Sequence, residues 1–298
     1  MGIKVQDGCN NRCSYCIVWK ARGPERSVPV EAVLRQVREA ERADIPEVVL
    51  TGVNLGAYDG VDARDAHVEI DELLNIILRE TDIQQVRLSS LEPMDVDERL
   101  IDAMVAGGPR VAPFLHLPLQ SGCSATLERM NRPYTAEQYE ATVAMIRAKL
   151  PAASISCDII AGFPGETDDE FAQSLALCER VGFSRMHVFR YSARPGTPAA
   201  KLDDPTPREE KQKWFDALCN AQNAISAEKH AAYIGRTVRV LVEGESDDAD
   251  WPLSARTEGN RLVRMKGDKS LIGTFTTAKI SGSNTWALYG ADEETIGR

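Results

Sequence analysis

With 298 residues, 43% hydrophobic and 27% charged, the chain is long enough for one large apolar core and a smaller second domain. It has no apolar run near the roughly 18 residues that cross a bilayer, and its start reads as a strand rather than a signal peptide, so the expectation is a cytoplasmic protein with no membrane partner. The net charge of −10 speaks against nucleic acid, but residues 1–26 carry five basic against two acidic side chains and residues 256–279 six against two, so both stretches are candidate phosphate-binding surfaces beside the plainer reading of solvated faces.

A first strand at 3–6 leads into Cys9-Asn10-Asn11-Arg12-Cys13-Ser14-Tyr15-Cys16. Three thiols at this spacing on one loop can hold three irons of a 4Fe-4S cube and leave the fourth iron open for substrate, as a catalytic zinc keeps one position free. Zinc itself calls for a fourth Cys or His at ligand spacing, and no His is near. A redox pair at Cys13 and Cys16 would leave the third thiol unexplained. Seven cysteines, an odd number, fit a reducing compartment, and Cys123, Cys157, Cys178 and Cys219 read as packing residues.

Further short strands at 48–50, 86–88, 114–116, 154–160 and 186–189 alternate with amphipathic helices, the pattern of a parallel sheet wrapped by helices. Asp95-x-x-Glu98, Thr135-x-x-Gln138 and Thr167-x-x-Glu170 mark helix starts with capping-box spacing. Polar or glycine-bearing segments follow each strand: Thr51 to Asn54, Ser89 to Glu92, Leu117 to Gly122, Ala161 to Thr167 and Tyr191 to Thr197. In βα architectures chemistry gathers at these C-terminal strand ends. His116 ends a strand and fits either a general base or a packed core residue.

Residues 201–206 form a polar hinge, after which Thr206-Pro207-x-Glu209 opens a long helix with proline at its first position. Trp214, Leu218, Ala221 and Ile225 give that helix one packing face. From residue 234 the period changes to two. Strands at 237–242, 251–257, 261–265, 271–280 and 285–289 predict a small OB-type barrel, a common nucleic-acid platform. The acidic stretch 243–250 reads as an exposed loop directed away from any bound RNA.

Gly8 to Cys16 with Ala21-Arg22-Gly23, followed in order by Thr51-Gly52-Val53-Asn54, Ser89 to Pro93, Leu115 to Gly122, Asp158 to Thr167 and Tyr191 to Thr197, resembles the radical S-adenosylmethionine (SAM) methylthiotransferases over most of residues 3–200. Gly235 to Val238, Arg261 to Arg264 and Trp286 to Gly290 resemble the TRAM domain that ends many of them. The resemblance implies an α/β fold, a partial six-unit (βα)6 TIM-like radical SAM barrel followed by a five-stranded all-β TRAM domain, divided as a core at 1–205, a linking helix at 206–233 and an RNA-binding barrel at 234–298.

It further implies one 4Fe-4S cluster on Cys9, Cys13 and Cys16 that chelates SAM, with Thr51, Gly52 and Asn54 near its methionine end and Gln120, Ser121, Asp158 and Arg190 toward its ribose or carboxylate. The implied partners are a tRNA anticodon stem-loop and a one-electron donor such as flavodoxin or ferredoxin. Gln6 to Cys9, Ala21 to Pro24 and Ser89 to Pro93 look most like the branch that converts N6-threonylcarbamoyladenosine to its 2-methylthio derivative. Isopentenyladenosine in tRNA is the alternative substrate, and an RNA-binding module with an unloaded cluster site is the non-catalytic one. Family members carry an amino-terminal domain with three more cysteines for a sulfur-donating cluster. No such pattern precedes Cys9, so the expectation is a chain that binds and cleaves SAM without completing sulfur insertion.

Overall fold

The computed structural model describes residues 1–292, so the last six residues of the expected 234–298 segment lie outside the described residues. The first half runs β1 (Gly2–Lys4), β2 (Gln6–Asp7), α1 (Val18–Arg22), β3 (Arg26–Ser27), α2 (Val30–Arg42), β4 (Glu47–Thr51), β5 (Asp59–Val61), β6 (His67–Glu69), α3 (Ile70–Glu80), β7 (Gln85–Leu88), α4 (Glu98–Ala106), β8 (Phe114–His116), α5 (Ser124–Arg129), α6 (Ala136–Lys149), β9 (Ser154–Ala161), α7 (Asp168–Val181) and β10 (Arg185–Arg190). A long helix α8 (Arg208–Ala231) then leads to β11 (Thr237–Glu245), β12 (Leu253–Thr257), β13 (Leu262–Lys266), β14 (Phe275–Ser283) and β15 (Leu288–Asp292).

The six main strands pair in parallel as β1-β4-β7 and β8-β9-β10, and bridges from Val86 to Val111 and from Ser90 to His116 join the two halves into one open barrel. Alternation decides which face is dry. In β9, Ile155, Cys157, Ile159 and Ala161 belong to the core under the helices, so Ser154, Ser156 and Asp158 face the lumen. The helices close that core with apolar residues at helical spacing, such as Val30, Val33, Leu34, Val37 and Ala40 of α2. Among the described residues no helix is long and apolar enough to cross a membrane.

Thr135 and Thr167 form complete capping boxes. The third expected cap moves by two residues: Asp97, not Asp95, accepts from Leu100 N at 3.0 Å, because residues 93–95 form a short 3₁₀ turn that carries Asp95 inward. Pro207 occupies the cap of α8 rather than its first turn. The buried row of that helix is Lys211, Trp214, Leu218, Gln222, Ser226 and His230, with Ala221 and Ile225 only half-buried. Its second half thus buries polar residues: His230 Nδ1 lies 2.8 Å from Asn284 O of the C-terminal barrel, and Gln222 Nε2 donates to Ser226 Oγ at 2.8 Å.

Strands β11 to β15 close in the order β11-β12-β13-β15-β14 around Val240, Val242, Leu253, Ala255, Val263, Met265, Ala278, Ile280 and Leu288. The fourth strand starts later than expected, since Asp268 caps a 3₁₀ turn at Lys269–Leu271. The acidic stretch does not form a separate loop throughout: β11 extends through Glu245, Glu243 pairs with Arg256 at 2.5 Å, and Glu245 pairs with Lys269 at 2.8 Å. Acid and base therefore share one face, and part of the basic stretch is neutralised within its own barrel.

This barrel docks on the N-terminal ends of the core strands. Arg87 of β7 donates to Glu258 O at 2.9 Å and pairs with Glu47 at 2.8 Å, Arg239 pairs with Glu258 at 2.8 Å, and Arg261 donates to Ser154 Oγ at 2.5 Å. The cysteine loop lies beyond the opposite ends of the strands, so the two basic stretches face different ends of the core.

Candidate active site

The short hairpin β2-β3 brackets the cysteine loop. Asp7 pairs with Arg26 at 2.6 Å, Cys9 N donates to Gly23 O at 3.1 Å, and Asn10 Nδ2 donates to Glu25 at 2.8 Å. Gly8 makes the closure possible: its φ is +78°, and a β-carbon there would lie 1.9 Å from Pro24 O. Gly8→Ala is expected to cost about 2 kcal/mol or more and to lower the iron retained after anaerobic reconstitution; denaturant unfolding and iron analysis read both effects. Wild-type values would show that the hairpin does not hold the loop.

Beneath the loop, Ser14 N bonds Met130 O at 2.9 Å, Ser14 Oγ bonds Arg129 O at 2.8 Å, and Asn131 Nδ2 bonds Arg12 O at 2.8 Å. Cys9 and Cys16 are half-buried, Cys13 is buried, and all three are free thiols. Burial pushes Cys9 up to about 11 and raises Cys16, so these sulfurs hold their protons until a metal displaces them. Two donors already point at sulfur: Val18 N at 3.4 Å from Cys16 Sγ and Arg132 Nη1 at 3.1 Å from Cys13 Sγ. Three thiols on one loop, with donors directed at two of the sulfurs, fit a 4Fe-4S cluster held by three cysteines.

Sequence reasoning missed the residues around Cys13. The Arg132 side chain is 2% exposed, ion-pairs with Glu92 and donates from Nε to Tyr134 Oη at 3.0 Å. Glu92 stood in a quoted motif without a role, and Arg132 carried no periodic signal. Asp95 completes an acidic wall; burial first, then the charges of Glu92 and Glu25, push it up to about 6.

Thr51, Gly52 and Asn54 do come together beside the loop, held by Gln6. Gln6 Oε1 accepts from Asn54 N at 2.9 Å and would meet a β-carbon on Gly52 at the same distance. Thr51 Oγ1 is turned to Ile3 O at 3.2 Å, whereas buried Asn54 Oδ1 has no partner and Nδ2 donates to Glu25 at 3.1 Å. Gln120 lies in the loop after β8 at φ +66°, bridged to Ile159 of β9, with its N–H donating to Asp158 O at 2.8 Å. Asp158 and His116 meet in the lumen with His187, which the sequence did not single out. His116 Nε2 lies 3.4 Å from Asp158, its Nδ1 2.9 Å from Ser156 Oγ, and the ligating atoms of all three residues fall within 4.8 Å. That set is close enough to share a proton or a cation.

Two expected ligand contacts are turned elsewhere. Ser121 is fully buried against α7, with Oγ 3.1 Å from Ser174 Oγ and accepting from Cys123 N. Arg190 ends the edge strand, and α8 draws it outward to Gln212 at 2.6 Å and the Phe215 ring.

Glu166, in the loop after β9, accepts from Gly162 N at 2.7 Å and Phe163 N at 3.2 Å, yet burial pushes it from 4.5 to about 7. The folded chain therefore holds a proton that the unfolded chain has released, so stability falls as pH rises from about 4.5 to about 7. Glu166→Gln is expected to flatten that loss, about 3 kcal/mol across the window, in unfolding curves at several pH values. Parallel curves would assign Glu166 an ordinary carboxyl.

The Radical SAM superfamily model matches residues 3–178 and the TRAM domain model residues 231–291. The chain is 40% identical over 289 residues to the tRNA-2-methylthio-N(6)-dimethylallyladenosine synthase of Acetivibrio thermocellus, covering 97% of this chain and 60% of that protein. It is 40% identical over 288 residues to the enzyme of that name from Bacillus subtilis, covering 97% and 56%. The chain thus spans three-fifths or less of the length of these two relatives. Among solved structures, a radical S-adenosylmethionine methyltransferase from Kitasatospora setae with cobalamin and a [4Fe-4S] cluster bound superposes with a TM-score of 0.55 at 20% identity, covering 66% of this chain and 38% of that one. Coproporphyrinogen III oxidase from Escherichia coli gives 0.50 at 16%, covering 76% and 52%; these two likenesses are ones of fold. Both relatives bear the name of the alternative substrate, dimethylallyladenosine, and neither that of the threonylcarbamoyladenosine branch expected from the short motifs. A three-thiol loop over an open six-stranded parallel barrel, and a superfamily match across more than half its length, place this chain in the radical SAM superfamily.

Proposed function

We propose that the chain is the SAM-cleaving and RNA-docking part of a tRNA methylthiotransferase whose substrate is N6-dimethylallyladenosine beside the anticodon, served by SAM and a one-electron donor of the flavodoxin or ferredoxin kind. The observation that carries the reading is the 40% identity to dimethylallyladenosine synthases along nearly the whole chain, with Cys9, Cys13 and Cys16 on the loop where the fold does its chemistry. Those cysteines would hold a 4Fe-4S cluster, which when bound supplies the electron that cleaves the SAM sulfonium to a 5′-deoxyadenosyl radical.

The chain's own residues bind and orient. Arg132, fixed by Glu92 and Tyr134, holds Cys13 in place, and Asn54 offers an unpartnered Oδ1 to an N–H donor such as an ammonium group. The acidic wall of Glu25, Glu92 and Asp95 favours a cationic ligand. Inside the lumen Asp158 and His116 are placed to accept or pass a proton on a bound nucleoside.

The same charges favour the dimethylallyl over the threonylcarbamoyl substrate. The latter carries a carboxylate into a mouth already lined by acids, whereas the former is apolar, and Phe189, on the same face of β10 as His187, is 52% exposed to receive it. The test uses the anaerobically reconstituted chain and two anticodon stem-loops that differ only in this modification, reading RNA affinity and 5′-deoxyadenosine formed. At least about tenfold tighter binding of the dimethylallyl RNA is expected, corresponding to roughly 1.4 kcal/mol. Preference for the threonylcarbamoyl RNA would reverse the substrate assignment, and an iron-free chain that forms no 5′-deoxyadenosine would end the radical reading.

A further inference from the structure

At the seam between the core strands, α8 and the C-terminal barrel lies a cavity of about 440 Å³, at the opposite end of the strands from the cysteine loop. Its composition runs against that of the chain. The protein carries a net charge of −10, yet no Asp or Glu is among the described residues that line this cavity, while Arg185, His187, His230 and Arg261 are. The carboxylate of Asp158 approaches His187 from the lumen but stands outside the lining.

Three further features share these walls. Trp286, one of the lining residues, is 70% exposed and so presents a large aromatic face to a ligand. Gln222 is 7% exposed, and its Nε2 donates to Ser226 Oγ at 2.8 Å and to Phe183 O at 3.4 Å, which leaves Oε1 as a buried acceptor without a partner. Arg261 Nε is likewise buried and unpartnered, although Nη1 is used by Ser154. Buried polar groups are nearly always satisfied, so an unmatched acceptor and an unmatched cationic donor on one cavity wall point to a ligand that supplies both partners.

We propose that this seam cavity is a nucleotide-binding site, separate from the cysteine-loop site, in which an unstacked base lies against Trp286 with its phosphate between Arg185 and Arg261. The inference rests on the RNA substrate proposed above and extends it with a second point of attachment. Base-on-aromatic stacking combined with guanidinium contacts to phosphate is the chemistry by which proteins hold single-stranded nucleic acid. A nucleotide also meets the unmatched groups: phosphate oxygens accept from the Arg261 guanidinium, and a base amino group donates to Gln222. The source of the nucleotide is a residue of the RNA strand or a free mononucleotide, and the experiment separates them.

The full chain, Trp286→Ala, Arg185→Ala and the control Arg35→Ala, an exposed cation on the outer face of α2, are titrated with an anticodon stem-loop RNA at several salt concentrations and, separately, with AMP. Both cavity positions are exposed, so the variants are expected to fold, which circular dichroism checks. The expected result is RNA binding weakened about ten- to a hundredfold by Trp286→Ala. Arg185→Ala should lower the slope of log affinity against log salt by about one, and Arg35→Ala should leave affinity and slope at wild-type values. SAM cleavage in the absence of RNA should be unchanged in all variants. If wild type fails to bind RNA but binds AMP, and Trp286→Ala abolishes that binding, the site takes free nucleotide and only the RNA reading fails. RNA affinity and salt slope indifferent to both cavity variants, with no AMP binding, would overturn the site while leaving the RNA reading intact. Binding of neither ligand by wild type would overturn both.

Discussion

Cys13→Ala is expected to yield a folded chain that retains no iron-sulfur cluster after anaerobic reconstitution and forms no 5′-deoxyadenosine above background. Of the three thiols on the loop Cys13 is the buried one, 6% exposed, and the one held by an Arg132 hydrogen bond. Its removal leaves Cys9 and Cys16, two half-buried thiols whose protonation burial favours. Two thiols cannot hold the cube that three would hold, and Arg132 Nη1 then keeps Glu92, 3.2 Å away, as its partner. The matched control is Cys219→Ala, a half-buried thiol on α8, which should keep wild-type iron and activity. Iron and sulfide per chain are the readout. A Cys13→Ala chain with a full cluster would move the ligand set elsewhere, and loss of iron in both variants would indicate general damage.

The largest stability effect is expected at Arg132→Met, about 3–5 kcal/mol in denaturant unfolding of the cluster-free chain. Arg132 and Glu92 form an ion pair whose side chains are 2% and 17% exposed, and Arg132 also serves Tyr134 Oη and Cys13 Sγ. The pair together is worth little over a well-packed apolar replacement, because both charges leave water. Removing one partner strands the other in a low-dielectric pocket. The double variant Arg132→Met with Glu92→Gln removes the stranded charge and should recover most of the loss. A single variant within about 1 kcal/mol of wild type, or a double variant no better than the single, would show that solvent reaches Glu92 freely.

The proposed RNA substrate ties the seam cavity to the cysteine loop. The two sites face opposite ends of the core strands, so the proposed RNA would have to span the length of the core to touch both. That arrangement also reconciles the net charge with the ligand: the cationic lining is confined to a cavity, and Glu243 and Glu245 neutralise part of the exposed basic stretch on the C-terminal barrel.

Local sequence was sufficient wherever the chemistry is local. Cys9, Cys13 and Cys16 lie within eight residues, so their spacing alone confines three sulfurs to one loop. The two capping boxes at Thr135 and Thr167 close within four residues, and the alternation of strands β11 to β15 follows from a two-residue period. The order of strands and helices followed from the same short-range patterns, and with it the end of the barrel where the chemistry collects. What depended on long-range contact was not legible. Arg132 reaches Cys13 across 119 positions, and His116, Asp158 and His187 meet only because β8, β9 and β10 are neighbours in register. Asp95 was passed over as a cap because a 3₁₀ turn rotates it inward, and Ser121 and Arg190 were drawn away by α7 and α8. The chain's own sequence determined which residue types stand at which strand ends. Only the tertiary structure decided which of them share a volume, because that depends on strand order and helix docking, and neither is encoded in the spacing along the chain.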